Sequence, residues 1–230
     1  MKTAGDIIQL RQALAERFPQ VRTWTETAAA RSRDYWATGV AALDGLLLGG
    51  LPRGAVTEII SPRASGGSAT LLRALLRQAR HSRQPVALID GADSFDPAGL
   101  PSAVLSRLLW VRCGNAEEAL KAADIVLRDR NLPVVALDLK MNPEAQLRRT
   151  SATAWYRLQR LAQAAGTVLA VVTPVAFVPC ADARVALERD LTLADVGREE
   201  REMVARLKFN LTRWSLGTHP AMEASAAEAG

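Results

Sequence analysis

Val56-Thr57-Glu58-Ile59-Ile60, then Ser61-Pro62-Arg63-Ala64-Ser65-Gly66-Gly67-Ser68, then Thr70 to Arg83 is the stretch that decides the fold. The first segment, 55–60, is short, partly β-branched and bounded by turn residues, so it reads as a buried strand. The last segment sets Leu71, Leu72, Leu75, Leu76 and Ala79 on one face of a helix. Strand, Gly/Ser loop and helix form the context of a phosphate-cradling loop, G-x-x-x-x-G-K-[ST]. Gly66 matches the second glycine and Ser68 the magnesium-binding hydroxyl. Ser61 stands at the first glycine and Gly67 at the lysine. That lysine reaches the β- and γ-phosphates as a point charge. A hydrogen bond to a charged group is worth about 1.5–3 kcal/mol. The loop therefore keeps the outline of a phosphate loop and lacks its strongest contact.

The neighbouring segments extend the pattern. Upstream runs Thr38-Gly39-Val40-Ala41-Ala42-Leu43-Asp44-Gly45-Leu46-Leu47-Leu48-Gly49-Gly50-Leu51-Pro52-Arg53-Gly54. Downstream, Pro85 to Asp90 reads as a second buried strand, followed by Gly91-Ala92-Asp93-Ser94-Phe95-Asp96-Pro97. Leu109-Trp110-Val111 is a strand candidate, and Ala116 to Leu127 a helix with Asn115 as its N-cap. Val134-Val135-Ala136-Leu137-Asp138 is a strand that ends in a carboxylate, and Thr167 to Val172 a strand that ends in Thr173-Pro174.

In this order the segments resemble the RecA recombinase family. That family has a T-G-x-x-x-L-D-x-x-L-G-x-G-G-L-P-x-G run, a strand, G-P-E-S-S-G-K-T, and then F-I-D-A-E-H-A-L-D-P. The resemblance implies an α/β fold with a RecA-like core: a mostly parallel twisted sheet, helices on both faces, and C-terminal antiparallel strands. It places Asp138 at the metal-binding carboxylate of the Walker B strand. It places Ala92 where the family keeps the glutamate that polarises the attacking water. Losing a general base costs on the order of 10²–10⁴ in rate. Thr173-Pro174 stands where the recombinases have the Asn-Gln pair that senses the γ-phosphate, and proline offers neither a side-chain amide nor an N–H. Ser61, Gly67, Ala92 and Pro174 thus depart from the family at positions that read or cleave nucleotide, while the skeleton around them is kept. The expectation is a RecA-like scaffold that is not an enzyme and uses no cofactor.

Composition bounds the rest. The chain has 230 residues, 49% of them hydrophobic, enough for one substantial domain with small appendages. Asp6, Arg11, Glu16 and Arg17 interrupt any signal-like run, and no apolar stretch approaches a membrane span. A cytoplasmic, nucleoid-associated place follows as an expectation. Cys113 and Cys180 are far apart and fit no metal spacing, and His81 and His219 are isolated and read as surface or loop residues. The net charge is +5, almost all of the positive charge being arginine. Arginine suits phosphate and carboxylate through its planar fork, and it also simply replaces lysine in GC-rich genomes. Arg73, Arg77 and Arg80 share one side of the first helix.

Three parts are expected: residues 1–36, 37–217 and 218–230. The first holds an amphipathic helix, about Asp6 to Phe18, with Ile7, Leu10, Leu14 and Phe18 on one face, and a polar connector containing Trp24, Tyr35 and Trp36. A partner, a like subunit or its own core are the three places that helix has to dock. The second part is the core. Within it Arg184 to Leu191 and Met203 to Trp214 alternate like strands, and Asp195 to Glu202 reads as an exposed charged turn. The third is small and polar and reads as a disordered tail. In recombinases a mobile DNA-facing loop follows the Walker B strand; here Lys140, Arg148, Arg149 and Arg157 fall in or after that segment and are candidate contacts for DNA of any sequence. The second DNA loop is replaced by the short apolar Val175 to Asp182, whose Phe177 and Val178 suit a protein partner.

The run Ala41 to Ala55, the strand carrying Glu58 and the chain's size are most similar to the ImuA-type mutasome accessory proteins. That resemblance implies a role in SOS-induced translesion synthesis. The implied partners are a Y-family polymerase homologue of the ImuB type, an error-prone replicative-type polymerase and RecA. Two other readings stay open: a SulA-like division inhibitor that binds the tubulin homologue FtsZ, and a weak ATPase or nucleotide sensor.

Overall fold

The computed structural model describes residues 34–63, 66–188, 192, 195 and 197–222. The expected N-terminal helix with Ile7, Leu10, Leu14 and Phe18 lies outside them. Nine strands are present among the described residues: β1 Tyr35–Trp36, β2 Leu51–Pro52, β3 Val56–Ile60, β4 Val86–Asp90, β5 Leu108–Arg112, β6 Val134–Asp138, β7 Val168–Thr173, β8 Ala183–Leu187 and β9 Phe209–Trp214. The helices are α1 Ala41–Leu46, α2 Ser68–His81, α3 Ser102–Leu105, α4 Ala116–Asp129, α5 Glu144–Arg148, α6 Ala152–Ala165 and α7 Glu200–Ala205. β1 and β2 form a small antiparallel ribbon. The other seven strands make one sheet in the order β5-β4-β6-β7-β3-β8-β9, all parallel except β9.

This sheet is the one the apolar runs predict. β3, β4, β6 and β7 are buried almost throughout, as parallel strands covered on both faces must be. Alternate residues point to opposite faces. Leu88, Ala136, Ala170 and Val172 pack with α1, α2 and Trp36 on one side. Ile89, Leu137, Leu169 and Val171 pack with α4, α6 and Trp155 on the other. The crossover through α2 moves one way across the sheet and those through α4 and α6 move the other way. Right-handed crossovers then place the helices on opposite faces.

Four boundaries differ from expectation. Trp36 is not connector: it pairs in β1, is buried in the core, and its indole N–H donates to Gln84. Residues 200–205 form helix α7 rather than a turn and the start of a strand, so the last strand begins at Phe209. Asp195 is buried, and its carboxylate accepts from Thr192, Arg198 and Arg206. A run of charges reads as solvated, but this carboxylate is enclosed by its own arginines. The core also continues past residue 217. His219 is buried, contacts Trp214 edge-to-face at 4.8 Å and bonds the Leu46 carbonyl at 2.8 Å, and Met222 packs on the main cluster. Residues 223–230 are outside the described set.

No described helix is long and apolar enough to cross a membrane. Arg73 and Arg77 are not a free phosphate-reading stripe. Arg77 forks onto Glu200 of α7 with two 2.7 Å bonds and holds that carboxyl below its usual range. Arg73 binds the Asp96 and Ala98 carbonyls.

Candidate functional site at the strand ends

Four loops meet at the C-terminal ends of β3, β4, β6 and β7, the edge where open α/β sheets bind ligands. The first runs 61–67 and hands over to α2. Gly67 is the N-cap of α2 and takes a left-handed conformation, φ +86°. A side chain there costs roughly 1–2 kcal/mol, so the backbone is shaped around glycine at the position where the motif has lysine. Ser61 is fully buried, and its N–H donates to the Thr173 carbonyl at 2.8 Å. Its hydroxyl has no hydrogen-bond partner among the described residues. That hydroxyl lies 2.6 Å from where a Cβ on Gly66 would stand, so serine at 61 and glycine at 66 fit each other. Gly66 closes a turn onto the Arg63 carbonyl at 3.1 Å. Ser68 opens the helix and is buried.

Asp90 and Asp138 are register partners on β4 and β6. Asp90 is fully buried and organises the loop after it, accepting from the Ser94 and Phe95 N–H groups at 3.0 and 2.8 Å. The Asp138 carboxylate accepts from the Lys140 N–H at 3.0 Å. Burial pushes its pKa up to about 6, with Asp90 adding to the rise and the Lys140 N–H opposing it. Gly91 is wedged against Asn142, whose amide donates to the Gly91 carbonyl at 2.7 Å. The turns after β4 and β6 are thereby stapled together, with Ala92 beside the staple.

The raised value of Asp138 fixes the sign of a pH effect. The native state holds this proton more tightly than the unfolded chain. The resulting stability is full below about pH 3.8 and is lost as pH rises through about 6. The ionised carboxylate is therefore a net cost of the order of 3 kcal/mol above that range. Asp138→Asn keeps an acceptor for Lys140. It should raise stability by about 1–3 kcal/mol near pH 8 and give no gain near pH 4 in urea unfolding at the two pH values.

The fourth loop is held by Glu58, which the sequence reading left without a role. This residue of β3 is fully buried. One oxygen accepts from Thr173 Oγ1 at 3.1 Å and from the Phe177 and Val178 N–H groups at 2.6 and 3.1 Å. The other accepts from Arg184 Nε of β8 at 2.5 Å, and Arg184 also reaches the Val178 carbonyl. The segment after β7 is thus pinned to the core. Val178 is fully buried, as are Cys180 and Ala181, so its side chain is core and not a contact surface. Phe177 is half-buried, under the Arg148 guanidinium at 5.5 Å from the ring centroid. The signal was legible in the sequence: the single charged residue of a buried strand needs a buried partner.

The four basic candidates separate. Lys140 and Arg148 flank the strand-end loops; burial holds the Lys140 ammonium below its ordinary value, and Arg148 pairs with Glu144 at 3.1 Å. Arg149 and Arg157 lie instead in a groove between α4 and α6, where Arg157 binds Asp124 at 2.6 Å. Among the described residues no group of three or more His, Cys, Asp or Glu gathers to hold a metal ion.

This geometry agrees with comparisons to known proteins. The profile of the RecA N-terminal domain family matches residues 25–203. Protein RecA of Methylococcus capsulatus is 35% identical over 127 residues, covering 53% of this chain and 36% of that protein. Protein RecA of Deinococcus radiodurans is 34% identical over 116 residues, covering 48% and 32%. The chain thus spans about a third of the length of the curated relatives it matches. With the family profile covering most of the chain and the sheet, crossovers and strand-end loops in the expected order, the chain belongs to the RecA N-terminal domain family.

Proposed function

We propose that this chain is a non-hydrolysing RecA-family accessory protein of bacterial damage tolerance, of the ImuA type, that acts by holding other macromolecules together. The observation that carries the reading is Gly67: at the lysine position the backbone is left-handed and built for glycine. A magnesium–nucleotide fits the donor set only in part. Ser68 and Asp138 remain as a hydroxyl and a carboxylate, whereas Gly67, Ala92 and Pro174 offer neither the phosphate cation, the base nor the sensing amide. The chain's implied partners in translesion synthesis are a Y-family polymerase homologue of the ImuB type, RecA and an error-prone replicative-type polymerase. DNA is held without regard to sequence, on Lys140 and Arg148 at the rim of the loops.

The test is capture of purified partners on the immobilised full chain. Retention of the Y-family polymerase homologue with release of the FtsZ-type protein is the expected result. The opposite pattern would replace this reading with the division-inhibitor one. A duplex and a single strand of several sequences should bind alike, and affinity should fall about 10³-fold or more between roughly 50 and 200 mM salt if six or more phosphates are engaged. The retained Ser68 and Asp138 support a second reading, a nucleotide sensor, which labelled ATP distinguishes by equilibrium binding.

A further inference from the structure

We propose that the groove between α4 and α6 docks an acidic amphipathic helix of a partner protein. The two helices are each 14 residues long and lie side by side on the outer face of the sheet. Between them runs a groove of about 910 Å³, continued by a second of about 650 Å³ that shares Arg157. Ile125 is 68% exposed and Tyr156 46%, two of only five large hydrophobic side chains exposed among the described residues, and both line this path. An apolar strip of this kind has no use for a bare polyanion and suits apolar anchors on a helix.

The rim supplies the charge. Its carboxylates are Glu117 and Asp124, and both are already neutralised. Glu117 pairs with Lys121 at 2.7 Å, and Asp124 is shared by Arg128 and Arg157 at 2.8 and 2.6 Å. Arg149 and Arg160 have no side-chain partner among the described residues. Asp124 engages Arg128 through Nε and Arg157 through both Nε and Nη2, so each guanidinium is held with further N–H groups left over. A ligand that brings carboxylates beside apolar anchors matches both features. The chain's own residues 6–18 do not: Asp6 and Glu16 are balanced by Arg11 and Arg17. A 14-residue helix spans about 21 Å, the length of α4 or α6.

The proposal rests on the recruitment reading and names the chemistry of a recruited segment. The test uses the full chain and a labelled model helix of about 14 residues, with leucines three and four apart and glutamates flanking them. A lysine-flanked twin and an alanine-for-leucine twin serve as controls. The glutamate–leucine peptide should bind, and both twins should bind at least about tenfold more weakly. Ile125→Asp, and separately Arg149→Glu with Arg160→Glu, should each weaken binding about tenfold or more without changing the melting temperature. Equal binding of either twin, or indifference to Ile125→Asp, overturns the proposal. So does displacement of the peptide by oligothymidylate of equal charge, which would make the groove a nucleic-acid surface. A dimer of the chain that Ile125→Asp converts to monomer would assign the face to a second copy and also overturns it. Peptide binding lost while polymerase capture persists removes the groove alone. Capture lost while peptide binding persists removes the named partners instead.

Discussion

Replacing Glu58 by alanine is expected to destabilise the protein by about 3–5 kcal/mol, because it leaves a buried charge without its partner. Arg184 is only 18% exposed at its side chain, so water cannot replace the lost carboxylate. The Phe177 and Val178 N–H groups and the Thr173 hydroxyl lose their acceptor as well. A domain holds only about 5–15 kcal/mol in total, so this one residue decides whether the segment after β7 is ordered at all. Urea unfolding measures the loss. Arg184→Ala should cost a similar amount, and the double variant should cost clearly less than the two added, since one substitution removes the burden left by the other. Strict additivity would show that the pair does not act as a unit.

Gly50→Ala should be nearly as damaging, at about 3–5 kcal/mol, from strain and a displaced core tryptophan. Gly50 has φ +131°, and a Cβ there would run into the carbonyl of Trp36. The obstacle is the backbone of β1, which cannot swing aside as a flexible side chain would. Trp36 would leave its place in the core, and with it the indole bond to Gln84 in the turn after α2. The expected readout is a large fall in the urea midpoint. Gly45→Ala serves as a control: nothing lies within 4 Å of a Cβ there, and it should be close to neutral. Equal effects at the two glycines would contradict the account.

What the sequence revealed, and what it hid, follows from the kind of force at each position. β4, β6 and β7 are legible because strands covered on both faces must be continuous apolar runs. The Asn115 cap is legible because its bond to Glu118 N–H at 2.9 Å is local. Helix α7 is not: six residues are too few to show a period, and Glu200 is held by Arg77 from a distant part of the chain. Asp195 and His219 were hidden for the same reason, their partners being tertiary or chemically like a solvated face. At the site, the phosphate-loop outline proposed for Ser61, Gly66, Gly67 and Ser68 is read from their order along the chain, without tertiary contacts. The backbone conformation of Gly67, the buried Ser61 hydroxyl and the Glu58–Arg184 anchor required the structure. Phe177 and Val178 looked alike as apolar loop residues, yet one is half-buried beneath Arg148 and the other is core.

The central claim is that this RecA-family chain does not turn over nucleotide, and steady-state ATP hydrolysis tests it most directly. The purified full chain is assayed with magnesium, with and without single-stranded DNA, beside Asp138→Ala. Loss of a general base alone costs on the order of 10²–10⁴ in rate, and the proposed reading has the phosphate-binding lysine replaced as well. The account predicts a rate at the buffer background, the same for both proteins. Turnover above background that Asp138→Ala abolishes would contradict it.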